Sequence, residues 1–402
     1  MTPVVVVCMP ERGHLQRLLP MIAGIAGRGR IVYVLTDPRY QPQVAQAGGR
    51  LIDLFQHHPL HDVDASSIPV PSRYVTFAAT SVDSLTPRVA ALKPGLILYD
   101  TFAVVAPLIA RRLDLPYLNV CACHAAVPAQ QIAELRQDPR VATSAACHAA
   151  VQRLQDCEAM PNAHPFSYID NPSPFLNIYG EPPQFLDPAS RAAFEPLAFF
   201  GSLAPELQTG SAARSPFRPG TRARTIYVSF GTVIWRYYQA TALAAFEVLA
   251  NAVAGLENVE AVFGLGGHAV DPALCAPLQR PNVRIASYLD QWSTLQTTNL
   301  FVTHHGLNST HEAIYHRVPM ISYPFFSDQP ALAERCRQLG LAVPLTTAPR
   351  APISLEAVRN ALQTLTADPT GFANRLEQAR GWELETIAGR PAVIDQICAF
   401  AR

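Results

Sequence analysis

The run Val4-Val5-Val6-Val7-Cys8 is apolar, largely β-branched and uninterrupted, so the strand it predicts has no face left for water. A turn at residues 11–14 follows, then helical apolar spacing over 15–27, then a second such strand over 31–36. Two fully apolar strands joined through a helix predict a parallel sheet covered on both faces. The alternation returns at 96–99, 103–112 and Tyr117–Val120, which makes the first half a doubly wound α/β domain.

Between 128 and 200 the pattern loosens into helical stretches (130–136 and 142–154) among proline-rich runs such as 161–174. This region is expected to be irregular and substrate-shaping rather than more sheet. The segment 207–224 (LQTGSAARSPFRPGTRAR) is polar, aperiodic and rich in Gly, Ser, Pro and Arg, and reads as a linker. The alternation then restarts with strands over 225–229, 260–263, Val283–Ala286, Leu300–Thr303 and 320–323, and with a helix over 240–254 after the first of them. A chain of 402 residues is too long for one ordinary core. The expected architecture is two Rossmann-like domains, 1–206 and 225–385, joined by the linker 207–224 and followed by a C-terminal helix over 386–402 that packs back on the first. A cleft between the two is the natural ligand site.

Composition removes several function classes. Thirty-one basic residues balance 31 acidic ones, which argues against nucleic acid or an anionic membrane as a main partner. Residues 4–9 lack a basic flank and stop at Pro10, far short of the ~20 apolar residues of a membrane span, and no signal peptide is visible. Eight scattered cysteines with no CxxC pair suit reduced thiols in the cytoplasm. Cys121-x-Cys123-His124 and His57-His58-x-x-His61-Asp62 are poor metal sites, because neither has a second cluster or a helix to set its spacing. No metal or cofactor is expected.

The segment 288–329 carries the chemistry. Strand Leu300–Thr303 ends in His304-His305-Gly306, and Ser309-x-x-Glu312 reads as a capping box opening the next helix. A strand, a glycine turn and a helix N-terminus offer backbone N–H groups to an anion, with His304, Asn308 and Ser309 as further donors. Pro319 leads into the next strand, whose end delivers Asp328-Gln329, an acid beside an amide suited to sugar hydroxyls. Taken alone, His304, Ser309 and Glu312 would pass for ordinary structural residues; the Asp-Gln pair beyond them decides the reading.

This segment resembles the donor-binding signature of the UDP-glycosyltransferase superfamily, glycosyltransferase family 1, of GT-B fold and bacterial natural-product type. The matching residues are Tyr288-x-x-Gln291, Thr303-His304-x-Gly306-x-Asn308-Ser309-x-x-Glu312-Ala313, Val318-Pro319-Met320 and Pro324-x-x-x-Asp328-Gln329. The resemblance implies that His304 and the backbone after Gly306 hold the pyrophosphate with Asn308 and Ser309. It places Glu312 on the ribose, Asp328 and Gln329 on the sugar, Tyr288 stacked on the base and Gln291 at the ribose or base edge. Val228-Ser229-Phe230-Gly231-Thr232 resembles the family's S-F-G-[ST] turn, which sets Thr232 near the donor phosphate, although a capping threonine reads almost as well. Gly264-Leu265-Gly266-Gly267 lacks the full dinucleotide fingerprint and reads as a loop. Three positions depart from the pattern: Tyr288 stands for Trp, Asp290 for Pro and Arg317 for Gly.

An acceptor hydroxyl must lose its proton during attack, so a positioned base is needed. The family keeps its base at a Gly-His such as Gly13-His14 and orients it with an aspartate such as Asp100, both expected at strand ends of one sheet. Arg17 stands where the family often has Pro, and either reaches the donor or faces solvent. His124, after strand Tyr117–Val120, is a candidate for the acceptor pocket. The resemblance implies an inverting glycosyltransferase whose N-terminal domain binds the acceptor and whose C-terminal domain binds the donor. UDP-glucose is the first choice of donor and a dTDP-sugar the competitor; the acceptor is a small lipophilic molecule such as a natural product, and the enzyme a monomer or homodimer. The alternatives are a nucleotide-sugar-binding auxiliary without transferase activity and a GT-B nucleotide-sugar epimerase.

Overall fold

A computed structural model describes the chain except residues 61–70, 122, 125–127, 206–216, 218–223 and 402. Nearly all of the expected linker, 207–224, therefore lies outside the described residues. Two compact units form: Met1–Leu207 with Glu385–Arg402, and Gln208–Leu384.

The first unit is built on seven parallel strands: β1 (Val4–Val7), β2 (Val32–Thr36), β3 (Arg50–Asp53), β4 (Leu96–Asp100), β5 (Tyr117–Val120), β6 (Asn177–Tyr179) and β7 (Leu197–Phe199), in the order β3-β2-β1-β4-β5-β6-β7. All four residues of β1 are buried, as an unalternating apolar run requires. Helix Arg12–Ala26 covers one face with Leu15, Leu18, Ile22 and Ile25, and Ile394 and Ile397 join the same core. Gly24 is needed for that approach, since a Cβ there would lie 2.8 Å from Ile394 Cγ1.

The second unit repeats the plan with six parallel strands: β8 (Arg224–Ser229), β9 (Val259–Gly264), β10 (Val283–Ala286), β11 (Leu300–Thr303), β12 (Met320–Ser322) and β13 (Ala342–Pro344), in the order β10-β9-β8-β11-β12-β13. Both sheets are doubly wound. Their strand order reverses between β1 and β4 and between β8 and β11, and folds of this kind bind ligands beyond the strand ends at such a point.

One expectation fails in the first unit. Residues 128–200 are not only irregular, because β6 and β7 extend the sheet from within them. Three-residue strands flanked by prolines are too short to show periodicity. The C-terminal helix is also longer than its sequence pattern suggests, running from Pro369 to Phe400. Its residues to Leu384 group with the second unit and those from Glu385 with the first. There Arg390 Nε donates to the Phe200 carbonyl at 2.8 Å, and Arg28 pairs with Asp395 at 2.6 Å.

Candidate active site

His14 does not sit in a loop. The helix after β1 opens at Arg12, so His14 lies in its first turn, with its N–H bonded to the Glu11 carbonyl at 3.1 Å. Asp100 closes β4, the neighbour of β1, and the two side chains meet across the point where strand order reverses. His14 Nδ1 is 2.7 Å from Asp100 Oδ1. The Phe102 N–H donates to the same oxygen at 3.1 Å and the Met9 N–H to Oδ2 at 3.0 Å.

Burial alone would push the Asp100 carboxyl up, but the His14 ring and the two backbone donors more than offset it and hold it below the ordinary range. Asp100 is therefore ionised at neutral pH and can only accept. His14 Nδ1 must carry the proton, which leaves the lone pair of the neutral ring on Nε2. The Phe102 ring lies 4.4 Å from the imidazole and is itself flanked by Tyr168 at 5.2 Å and Tyr74 at 5.7 Å. The segment before His14 is braced too: Tyr74 Oη donates to Glu11 Oε1 at 2.6 Å, and Arg39 Nη2 and Tyr40 Oη both donate to the Pro10 carbonyl.

Arg17 does not face solvent. It is buried, with Nε donating to the Gly13 carbonyl and Nη1 to the Cys121 carbonyl, both at 3.2 Å. His124 is buried beyond β5, its Nδ1 2.7 Å from Oε2 of Glu181, a residue without any signal in the sequence pattern. The Cys121 thiol is pushed up to about 12 by burial, so it is an inert packing group. Among the described residues no group of three or more His, Cys, Asp and Glu is arranged to hold a metal. His61 and Asp62 lie outside them, and His58 is bonded to Ser84 at 2.7 Å.

In the second unit, β8 ends in the turn Ser229-Phe230-Gly231, and β11 ends in His304-His305-Gly306 beside it. The His304 ring is wedged between two glycines. A Cβ would lie 2.6 Å from Nε2 at Gly231, where φ is +70°, and 2.5 Å from it at Gly306. Burial, opposed only in part by the nearby Ser229 backbone, lowers the ring to about 4, so it is neutral at physiological pH. His305 is structural: its two ring nitrogens meet Thr310 Oγ1 at 3.1 Å and Ser322 Oγ at 2.7 Å.

Helix Leu307–Tyr315 begins directly after Gly306, its N-cap, with Asn308 in its first turn. The expected capping box is not formed, because with the cap at Gly306 Ser309 is already the third helical residue. Ser309 and Glu312 turn instead to Gln291, whose Nε2 donates to Glu312 Oε2 at 2.7 Å and to Ser309 Oγ at 3.1 Å. Three residues assigned to the ribose and phosphates are thus brought together. Tyr288 is 52% exposed, with its ring beside Gly267, and Thr232 is exposed after its turn. Asp328 stands at the N-cap position of helix Gln329–Gln338 without a side-chain capping bond to it. Gln329 is buried, and its Oε1 accepts the Phe325 N–H at 2.9 Å and the Phe326 N–H at 3.3 Å, so its amide oxygen is committed to the loop.

The departures from the family pattern prove local. Asp290 starts helix Gln291–Leu295 in place of proline. Arg317 adopts the left-handed conformation a glycine would take, φ +60°, and pairs with Glu377 at 3.1 Å. Arg350, not singled out in the sequence, braces the loop before Asp328 by donating to the Phe325 carbonyl.

Residues 224–378 match the family model described as UDP-glucoronosyl and UDP-glucosyl transferase. That stretch carries the domain of this family. The chain is 23% identical over 369 residues to the NDP-glycosyltransferase YjiC of Bacillus subtilis, covering 90% of this chain and 88% of that one. It is 25% identical over 345 residues to the oleandomycin glycosyltransferase of Streptomyces antibioticus, covering 83% and 77%. Its fold matches the crystal structure of the kitacinnamycin glycotransferase with a TM-score of 0.77 at 23% identity, over 100% of this chain and 99% of that one. The chain therefore has the GT-B fold of two Rossmann-like units. No helix among its described residues is long and apolar enough to cross a membrane.

Proposed function

We propose that this glycosyltransferase moves a sugar, glucose as first choice, from a nucleoside diphosphate donor to a hydroxyl of a small lipophilic acceptor, with inversion at the anomeric carbon. The observation that carries the reading is the His14–Asp100 couple. His14 Nε2 takes the acceptor proton as its oxygen attacks, and Asp100 stabilises the imidazolium that forms. One displacement leaves the diphosphate and inverts the centre. Phe102, Tyr74 and Tyr168 give the couple an apolar surround, which favours an aromatic or otherwise lipophilic acceptor. The names of relatives active in antibiotic glycosylation support the same class.

In the second unit the leaving diphosphate is assigned to the N-terminus of helix Leu307–Tyr315, with Asn308 and Ser309, to the neutral His304 ring and to Thr232. A neutral imidazole donates one hydrogen bond to phosphate without titrating near pH 7. Tyr288 is assigned to the base, and Gln291 with Glu312 to the ribose. A carboxylate only accepts, so it suits the two hydroxyls of ribose better than the single ring hydroxyl of deoxyribose, which favours UDP over dTDP. Asp328 takes sugar hydroxyls; Gln329 supports them chiefly by shaping the loop.

The test is diphosphate release from UDP-glucose and dTDP-glucose with and without a panel of phenols and macrolides, with product configuration read by NMR. Acceptor-dependent release giving a β-glucoside from the α-linked donor is the expected outcome. Retention of configuration, or release indifferent to acceptor, would count against the mechanism.

A further inference from the structure

The loop 324–328 runs from β12 towards helix Gln329–Gln338 and carries Asp328 at its end. Its backbone is held from two sides. On one side the Gln329 amide oxygen takes the N–H groups of Phe325 and Phe326. On the other lies the segment that leaves β13. There the Leu345 N–H donates to the Ser322 carbonyl at 3.0 Å, the Arg350 N–H to the Pro324 carbonyl at 3.1 Å, and Tyr323 Oη to the Ala351 carbonyl at 3.0 Å. The Arg350 side chain closes this seam. Its Nη1 donates to the Phe325 carbonyl, and its Cζ lies 5.0 Å from the centroid of the Tyr238 ring. Tyr238, shortly after Thr232 in the chain, is buried and packs on Phe325 at 5.9 Å and on Phe326 at 5.8 Å. One guanidinium thus joins the exit of β13, the loop before Asp328 and the stretch that follows the Ser229-Phe230-Gly231 turn.

Two features set Arg350 apart from an ordinary surface arginine. Its backbone is left-handed, at φ +58°, and so is that of Ser327 directly before Asp328, at φ +56°. Neither is a glycine, so each conformation is strained and persists only because surrounding contacts impose it, a pattern that clusters at ligand clamps. The contacts that impose it here are those of the seam. Arg350 also has no acidic partner among the described residues, so a carbonyl and a ring face hold the cation. Such rigidity has a chemical use. Epimeric sugars differ only in where one hydroxyl points, and a carboxylate tells them apart only if it is held still.

We propose that Arg350 is a positioning residue for donor-sugar selection: by clamping Phe325 against Tyr238 it fixes the Asp328 carboxylate, which then separates hexoses that differ in one hydroxyl. The inference rests on the assignment of Asp328 to the donor sugar made above and adds the residue that makes it selective. Arg350 acts through the loop and not on the sugar.

The full-length enzyme is compared with Arg350→Asn and Arg350→Lys. Asparagine tolerates a left-handed backbone and removes the guanidinium, and its introduction leaves no carboxylate unpaired. Lysine keeps the charge without the planar fork, and carries the same comparison if Arg350→Asn fails to fold. Titration calorimetry gives the Kd of the free nucleoside diphosphate and of its glucose conjugate, and turnover gives kcat/KM for glucose and galactose donors, in whichever of the UDP and dTDP series the wild type uses. In Arg350→Asn the Kd of the free nucleotide is expected to stay within about twofold of wild type while that of the nucleotide sugar rises about tenfold. The glucose-to-galactose ratio of kcat/KM should fall by a similar factor, with Arg350→Lys between the two. An arginine that only stabilises the fold would weaken nucleotide and nucleotide sugar alike and leave the ratio unchanged. That result, or no change in either Kd, would overturn the inference while leaving the transferase reading intact. A wild-type enzyme that turns over neither donor series would overturn the reading beneath it as well.

Discussion

Replacing Asp100 by Asn alters one atom at the centre of the proposed mechanism and its outcome can be worked through bond by bond. The carboxylate accepts three N–H groups, from Met9, Phe102 and His14. An amide keeps one accepting oxygen. If that oxygen stays with Met9, the NH2 group faces the Phe102 N–H and His14 Nδ1. Nδ1 must then become the acceptor, the proton moves to Nε2, and the ring can no longer take one from a hydroxyl there. General base catalysis contributes about 10²–10⁴-fold, so kcat is expected to fall by that factor, with donor affinity unchanged. The buried donor facing a donor costs about 1–3 kcal/mol of stability, read as a lower Tm. The sign of the pH dependence is fixed by the direction of the Asp100 shift. A carboxyl lowered by folding stabilises the protein above its unfolded value of about 4, and the contribution fades as pH falls through the lower folded value. The stability gap between wild type and Asp100→Asn should therefore be full at neutral pH and shrink in acid below about pH 4. Diphosphate release and thermal melts from pH 3 to 8 measure both. A folded Asp100→Asn enzyme with kcat within about threefold of wild type would refute the tautomer argument.

Four further outcomes follow from the second unit. Gly231→Ala should weaken donor binding at least tenfold by titration calorimetry, because its Cβ would sit 2.6 Å from His304 Nε2 at a φ of +70°. Since His304 is neutral down to about 4, donor affinity should show no inflection from that ring between pH 5 and 8; one lost on His304→Gln would contradict this. Glu312→Gln should narrow the preference for UDP over dTDP donors, measured as the ratio of their KM values. Arg317→Gly should leave Tm unchanged or raise it, by up to about 1 kcal/mol of stability, since it relieves a left-handed backbone and loses only an exposed ion pair.

The sheets were legible because β1, β4 and β11, and β8 after its exposed Arg224, are buried on both faces and so carry apolar runs. Three-residue edge strands such as β7 and β13 carry too few residues to register, β3 has a charged residue at each end and no apolar run, and helix Arg73–Ala90 went unread. Gly13-His14, Asp100 and the segment 288–329 stood out because each lies at a strand end next to a recognisable motif. Glu181 and Phe102 did not, since a lone glutamate or phenylalanine in a loop acquires meaning only from what folds against it. The misjudged Ser309–Glu312 cap shows the same limit: the spacing fits a capping box, yet Gln291, eighteen residues earlier in the chain, takes the Ser309 hydroxyl. The burial of Arg17 was not legible either, because nothing local reveals that the Cys121 carbonyl lies within its reach.

The central claim, that His14 is the base of a glycosyl transfer, is tested most directly by His14→Ala, assayed for donor affinity and acceptor-dependent turnover in the same preparation. The account predicts an unchanged donor Kd with kcat reduced by about 10²-fold or more. Turnover near the wild-type rate in that variant would contradict it.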